Sequence, residues 1–358
     1  MQAAGQSSGS LGPLTFAAAT LAAADDIGRR TALKRIGALA TGAVAGVRGV
    51  AHAQKRPLLL AFCGQLLCVI PYEVARARGY FSEEGLDVNL VYTRGGTVAM
   101  QALVGRAVDY AATSYDVALQ AFARGAKIVR FASTGQLPLF ALASAPKTAG
   151  EIRSLKDLEN RTVGISAIGN ADHILVVYLM KKAGADPGKV RFASIGTNLF
   201  EALRLDQVDA GMVQEPALTL ITAEGGKALV NAMDLDDANR YLGGPYEFMG
   251  VAVRAEERAQ RLDEMRRLAR ALEKGLMDTR RLPTEEAIAA LPKVLIAGSG
   301  QRARLVAVLE RYKRSLYPDS AKIDSAAAAR VAEAHKSAGL LAPSVDLAGL
   351  LDLSVIER

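Results

Sequence analysis

From residue 57 onward, short apolar runs alternate with amphipathic segments of about ten residues. Residues 58–62 are an unbroken apolar run, suited to a strand buried on both faces. Residues 69–78 have helical spacing and stop at Gly79, a favourable helix terminator. The same alternation predicts strands over 88–92, 109–113 and 128–132. Helices are predicted between them over 97–104 and 117–124, closed by Gly105 and Gly125. Strands alternating with helices of this length predict a parallel sheet covered on both faces.

The rhythm restarts near residue 152, without obvious sequence repetition. Strands are expected over 162–166, 190–195, 210–213 and 228–230, and helices over 155–158, 171–183, 199–205 and 216–223. Between the two units, residues 139–143 read as a strand crossing over and 248–253 as one returning. Two crossings mean that the second unit is inserted into the first. Beyond Ala255 the chain becomes helical and charge-rich, notably over 258–279. Its charges alternate in sign, which describes a solvated helix face over the first lobe rather than a nucleic-acid surface.

The first 53 of the 358 residues read as an export signal. Arg29 and Arg30 precede an uncharged Ala- and Gly-rich stretch over 36–47, and Ala51-His52-Ala53 supplies a small-residue cleavage site before Gln54. The stretch is too short and too weakly apolar to span a bilayer, for which about 20 apolar residues are needed. Cleavage removes five Lys/Arg and two Asp/Glu, so the net charge falls from +7 to +4. A modest, dispersed excess gives no support for nucleic-acid binding. No later run is apolar enough to span a membrane, so the exported chain is expected to be soluble. Cys63 and Cys68 are its cysteines. An oxidising compartment permits a bridge between them, but a strand end and a helix start suit two buried thiols better.

Residues Tyr72-Glu73-Val74-Ala75-Arg76-Ala77-Arg78-Gly79-Tyr80-Phe81-Ser82-Glu83-Glu84-Gly85-Leu86 resemble a signature of the nitrate/sulfonate/taurine-type binding proteins. Further matches follow in order: Gly95-Gly96, Gly105 to Tyr110, Leu155 to Gly164, Gln207 to Ala210, and Glu215-Pro216. No single motif decides, but the ordered series over roughly 57–255 does. The resemblance implies an α/β fold of the periplasmic-binding-protein-like type II: two doubly wound lobes, an interlobe ligand cleft and two hinge crossings. It implies residues 54–141 with 247–358 as lobe 1 and residues 142–246 as an inserted lobe 2. It further implies a periplasmic monomer that delivers a small molecule to an ABC permease and its ATPase. Catalytic residues, metal and cofactor are not expected.

Open α/β sheets bind ligands beyond their strand C-termini. In lobe 1 that rule selects Gln65, Arg94, Gly95, Gly96, Tyr115 and Asp116; in lobe 2 it selects Gly169, Asn170, Asp172, His173, Thr197, Asn198, Gln214 and Glu215. Gln136 and Tyr246 are expected near the crossings. Glycines at helix starts let N–H groups approach a polar ligand. Where the family offers Gly-Ser-x-x-His, this chain has Asn170, Ala171, Asp172 and His173. A carboxylate in the first turn competes with an anionic ligand if it faces the cleft, and does nothing to it if it faces solvent. Arg94 argues the other way, since guanidinium suits carboxylate or sulfonate. Sulfonate, nitrate, taurine, carboxylate and pyrimidine-precursor ligands therefore all stay open.

Two alternatives share the fold. One is a thiamine-pyrimidine-synthase-like enzyme, which needs a clustered-cysteine segment and a reactive histidine. The other is the ligand-sensing domain of a signalling system.

Overall fold

Two five-stranded sheets with the same strand order dominate the computed structural model, which describes residues 56–64, 66–196, 198–297 and 300–356. The expected export signal over 1–53, Gln65 and Thr197 lie outside the described residues. In the first lobe β1 (Leu58–Cys63), α1 (Leu66–Ala77), β2 (Val88–Thr93), α2 (Gly96–Val104), β3 (Tyr110–Ser114), α3 (Tyr115–Ala123) and β4 (Ile128–Ser133) follow one another. β5 (Ala141–Ser144), β6 (Thr162–Ile165), α4 (Ala171–Lys182), β7 (Arg191–Ser194), α5 (Leu199–Arg204), β8 (Ala210–Val213), α6 (Ala217–Ala223) and β9 (Ala228–Asn231) make the second. The chain returns through β10 (Met249–Arg254) into α7 (Arg258–Arg281), α8 (Thr284–Ala289), α9 (Gln301–Leu316) and α10 (Ser325–Ser337).

The sheets are ordered β2-β1-β3-β10-β4 and β7-β6-β8-β5-β9. Each holds a strand from the far side of a crossing, β10 in one and β5 in the other, and both run antiparallel to their neighbours. The strands expected to cross between lobes are thus fully built into one sheet each. The crossings themselves are residues 134–140 and 232–248, and they run side by side. Tyr246 N–H donates to the Gln136 carbonyl at 2.8 Å and Phe248 N–H to that of Gly135 at 2.9 Å. A strand in mid-sheet satisfies both its backbone edges, which a free-standing crossing strand cannot do.

The lobes also match in detail at a spacing of 100 residues, a repeat that the composition of the chain conceals. Asp109 accepts the Leu59 N–H at 2.9 Å, joining the start of β3 to β1; Asp209 accepts the Thr162 N–H at 2.7 Å, joining β8 to β6. Arg106 and Asp206 both make left-handed turns, with φ of 62° and 53°. Only short polar and backbone features are shared, so no long string of identical residues marks the repeat.

Helix α7 lies over the first lobe, as its alternating charges predict. Arg270 pairs with Glu84 at 2.7 Å and Lys274 with Glu83 at 3.0 Å. Its Gly275 sits so close to α1 that a Cβ there would fall 2.5 Å from the Pro71 carbonyl oxygen and 2.7 Å from the Ala75 Cβ. That contact docks the family-like segment: Phe81 is buried behind it, and the Tyr80 hydroxyl donates to Asp278 at 2.5 Å.

Candidate ligand cleft

The loops after β2 and β6 meet. Thr97, in the first turn of α2, donates its hydroxyl to Asn170 Oδ1 at 2.8 Å, linking the lobes directly. Asn170 stands at the N-cap of α4 but makes no side-chain cap; its amide donates instead to the Ser166 hydroxyl at 3.0 Å. Exposed Val98 and Ile168 flank this link, one on each lobe. Arg94 is exposed beside it and makes no ion pair among the described residues. A Cβ on Gly95 would meet nothing within 4 Å, so the helix start there faces open space. Gly96 opens α2 against β3 and α3: a Cβ there would meet the Thr113 and Val117 side chains at 3.6 Å. Asn198 is exposed at the N-cap of α5 and likewise makes no side-chain cap.

Asp172 does not face solvent. It is buried at 0% exposure, and its carboxylate accepts both the Ser166 N–H at 2.5 Å and the Ser166 hydroxyl at 2.7 Å. Burial raises its carboxyl pKa, while the Ser166 hydrogen bonds pull it back. The side chain braces the loop that carries Asn170. His173 braces it too: Gly169, at φ 81°, donates its N–H to His173 Nδ1 at 3.2 Å, which leaves the ring proton on Nε2. Burial lowers the His173 pKa, and its ring packs edge-on against Phe192 at 4.8 Å.

The other expected residues divide by partner. Gln136 turns away to the end of α9, donating to the Arg314 and Ser315 carbonyls at 3.2 and 3.0 Å. Glu215 accepts the N–H and hydroxyl of Thr219 at 3.0 and 3.1 Å, so it caps α6. Tyr115 is buried beneath the Arg130 guanidinium at 5.4 Å, and burial pushes its phenol up to about 12. Tyr246 and Asp116 are brought together: the buried phenol donates to Asp116 Oδ1 at 3.0 Å. Gln214 follows β8 with its amide nitrogen buried.

Thr97, Ser166 and His335 were not anticipated. Thr97 directly follows Gly95-Gly96 and was legible as a first-turn hydroxyl. His335 lies on α10, and nothing in its local sequence points to Asp116, whose Oδ1 it meets at 3.0 Å.

Two matched α/β lobes, joined by paired crossings with their strand-end loops facing, define the periplasmic-binding-protein fold. Residues 68–286 match the NMT1/THI5-like family, over half of the chain, and the protein belongs to that family. It is 26% identical over 220 residues to the riboflavin-binding protein RibY of Chloroflexus aurantiacus. That alignment covers 60% of each chain, so the match spans about three-fifths of the curated relative. A solved Bordetella bronchiseptica protein superposes at TM-score 0.73 and 22% identity, covering 84% of this chain and 96% of its own. The periplasmic aliphatic sulphonate binding protein SsuA of Escherichia coli superposes at 0.61 and 16% identity, with 79% and 91% covered. These structural likenesses establish the fold.

Proposed function

We propose that this is an exported substrate-binding protein that closes two lobes on a small molecule and presents it to an ABC importer. The Thr97–Asn170 hydrogen bond carries the reading, because it brings the helix starts of both lobes to one crevice. Open α/β sheets bind ligands at such strand-end crevices. Arg94, Gly95, Gly96, Asn170 and Asn198 are the surface that a ligand meets first; Asp172 and His173 hold the loop beneath it. Export through the twin-arginine route fits the N-terminal pattern, and among the described residues no helix is long and apolar enough to cross a membrane. A binding role also suits the cysteines. Cys63 and Cys68 are buried thiols hydrogen-bonded to each other, and burial raises the Cys68 pKa, which makes a poor nucleophile.

The test is a thermal-shift screen of the mature chain over sulfonates, carboxylates, pyrimidines, flavins and amines. A true ligand at a hundred times its dissociation constant stabilises the protein by about 2.7 kcal/mol. A screen in which nothing shifts the melting temperature would defeat the binding reading. Separately, Arg29→Lys with Arg30→Lys should trap the precursor in the cytoplasm; undiminished periplasmic yield would point to another route.

A further inference from the structure

Nearly every buried polar side-chain atom among the described residues has a protein partner. Guanidinium Nε atoms aside, the exceptions are Asp116 Oδ2 and Gln214 Nε2. A buried polar atom without a partner in the protein calls for a reason. Asp116 lies in the first turn of α3, directly after β3, and Gln214 directly follows β8. The 100-residue match of Asp109 with Asp209 makes β3 and β8 equivalent strands, so the two atoms stand just beyond equivalent strand ends.

Asp116 is held rigidly. Its Oδ1 accepts from the Tyr246 hydroxyl and from His335 Nε2, each at 3.0 Å. The tautomer follows from Gln120, whose amide donates to the Leu340 carbonyl at 2.9 Å and to His335 Nδ1 at 3.1 Å. Nδ1 therefore accepts, and Nε2 carries the proton toward Asp116. The hydrogen bonds to the carboxylate converge on Oδ1, and Oδ2 has no partner among the described residues. No lysine or arginine among the described residues forms an ion pair with Asp116. Its residue exposure is 1%, so bulk water does not solvate it. Gln214, half-buried, makes no side-chain hydrogen bond with any described residue.

We infer that Asp116 Oδ2 and Gln214 Nε2 are ligand contacts, one from each lobe. They select a small nitrogenous molecule with an N–H donor for Asp116 and an acceptor atom for Gln214. The inference rests on the cleft being the binding site, as proposed above. It favours ligands that carry nitrogen donors over a bare alkanesulfonate, which offers acceptors alone.

Asp116→Asn tests this cleanly. Its Oδ1 keeps both existing donors, while the unpartnered oxygen becomes an NH2 that repels a ligand N–H. Gln214→Leu removes the amide at similar volume. Calorimetric titration would use riboflavin, taurine, ethanesulfonate and whatever the screen returns. Taurine and ethanesulfonate differ by the amine alone. The expected result is at least tenfold tighter binding of taurine than of ethanesulfonate, if either binds. Asp116→Asn should weaken every N–H ligand by about ten- to a hundredfold, and Gln214→Leu by about three- to tenfold. Melting of the ligand-free variants reports separately whether they fold. A wild type that binds, with both variants unaffected, overturns this assignment and leaves the binding role intact. A wild type that binds nothing in the library overturns the binding role as well.

Discussion

Arg130 and Glu247 are buried together, at 0% and 2% side-chain exposure, and paired at 2.8 Å. The guanidinium also donates to the Thr113 and Phe248 carbonyls at 2.9 and 2.7 Å, which ties β4 to β3 and to the returning crossing. Room for it comes from Gly250, where a Cβ would overlap the Ala132 carbonyl oxygen and the guanidinium itself. Gly250→Ala should therefore destabilise by about 2–4 kcal/mol in urea unfolding, through overpacking and a disturbed ion pair. Arg130→Met should cost about 3–5 kcal/mol at neutral pH, because Glu247 is left charged and buried. The deficit must depend on pH. Burial already raises the Glu247 pKa, and Arg130 opposes that rise. Without Arg130 the folded pKa climbs further above its unfolded value. Folding then favours the protonated carboxyl, and stability is lost as pH rises through that window. Unfolding of Arg130→Met at pH 5 and pH 7 should show the smaller deficit at pH 5; an equal deficit would mean that Glu247 is not the cause. Neither partner of this pair was identifiable in the sequence, where Arg130 is one charge inside an apolar strand.

At the scale of elements, the contact between α1 and α7 sets two tendencies against each other. Gly275→Ala in mid-helix gains about 1 kcal/mol of helix propensity. Against that, the new methyl would sit 2.5 Å from the Pro71 carbonyl oxygen and 2.7 Å from the Ala75 Cβ. Overpacking of this kind costs about 1–3 kcal/mol, and a backbone oxygen cannot step aside as a side-chain tip can. Net destabilisation is therefore expected, measurable as a lower urea midpoint; a stabilised variant would show that α7 can slide. The two strand-start aspartates make a matched test. Asp209→Ala strands the Thr162 N–H as Asp109→Ala strands that of Leu59, each at about 1–3 kcal/mol. Asp109 should be the costlier, since it pairs with Arg56 and Arg261 at 2.7 and 2.9 Å, whereas Asp209 meets Arg161 at 3.9 Å.

For the whole molecule, the lobes are connected by more than the two crossings. Thr97–Asn170 joins them at the cleft, and α10 packs on both α3 and α4, with Lys181 donating to the Ala338 carbonyl at 2.9 Å. Tyr246 and Glu247 are each tethered to the first lobe by a buried polar contact, which fixes that end of the second crossing to lobe 1. Thr97→Val removes the cleft link while leaving the fold alone. An exposed hydrogen bond contributes about 0.5–1.5 kcal/mol, so the closed form should be depleted a few-fold and ligand affinity should fall by as much. Small-angle scattering should show a larger radius for ligand-free Thr97→Val than for wild type. Identical profiles would mean that other contacts, α10 first among them, hold the lobes.

The alternation of apolar runs and amphipathic segments determined the two α/β units, most strand positions and the placement of α7, because burial periodicity is a local property of the chain. Loops after strand ends could be named for the same reason, and Arg94, Asn170 and Asn198 do follow β2, β6 and β7. What each side chain does there was decided by tertiary structure. Asp172 turned inward to Ser166, Gln136 to the end of α9 and Glu215 to Thr219, each meeting a backbone or hydroxyl partner. Asp116 meets Tyr246 and His335 across 130 and 219 residues of chain, and no local pattern encodes such a meeting. The sheet membership of β5 and β10 is of the same kind: period-two burial marks a strand, but the neighbours it hydrogen-bonds are chosen only when distant segments pack.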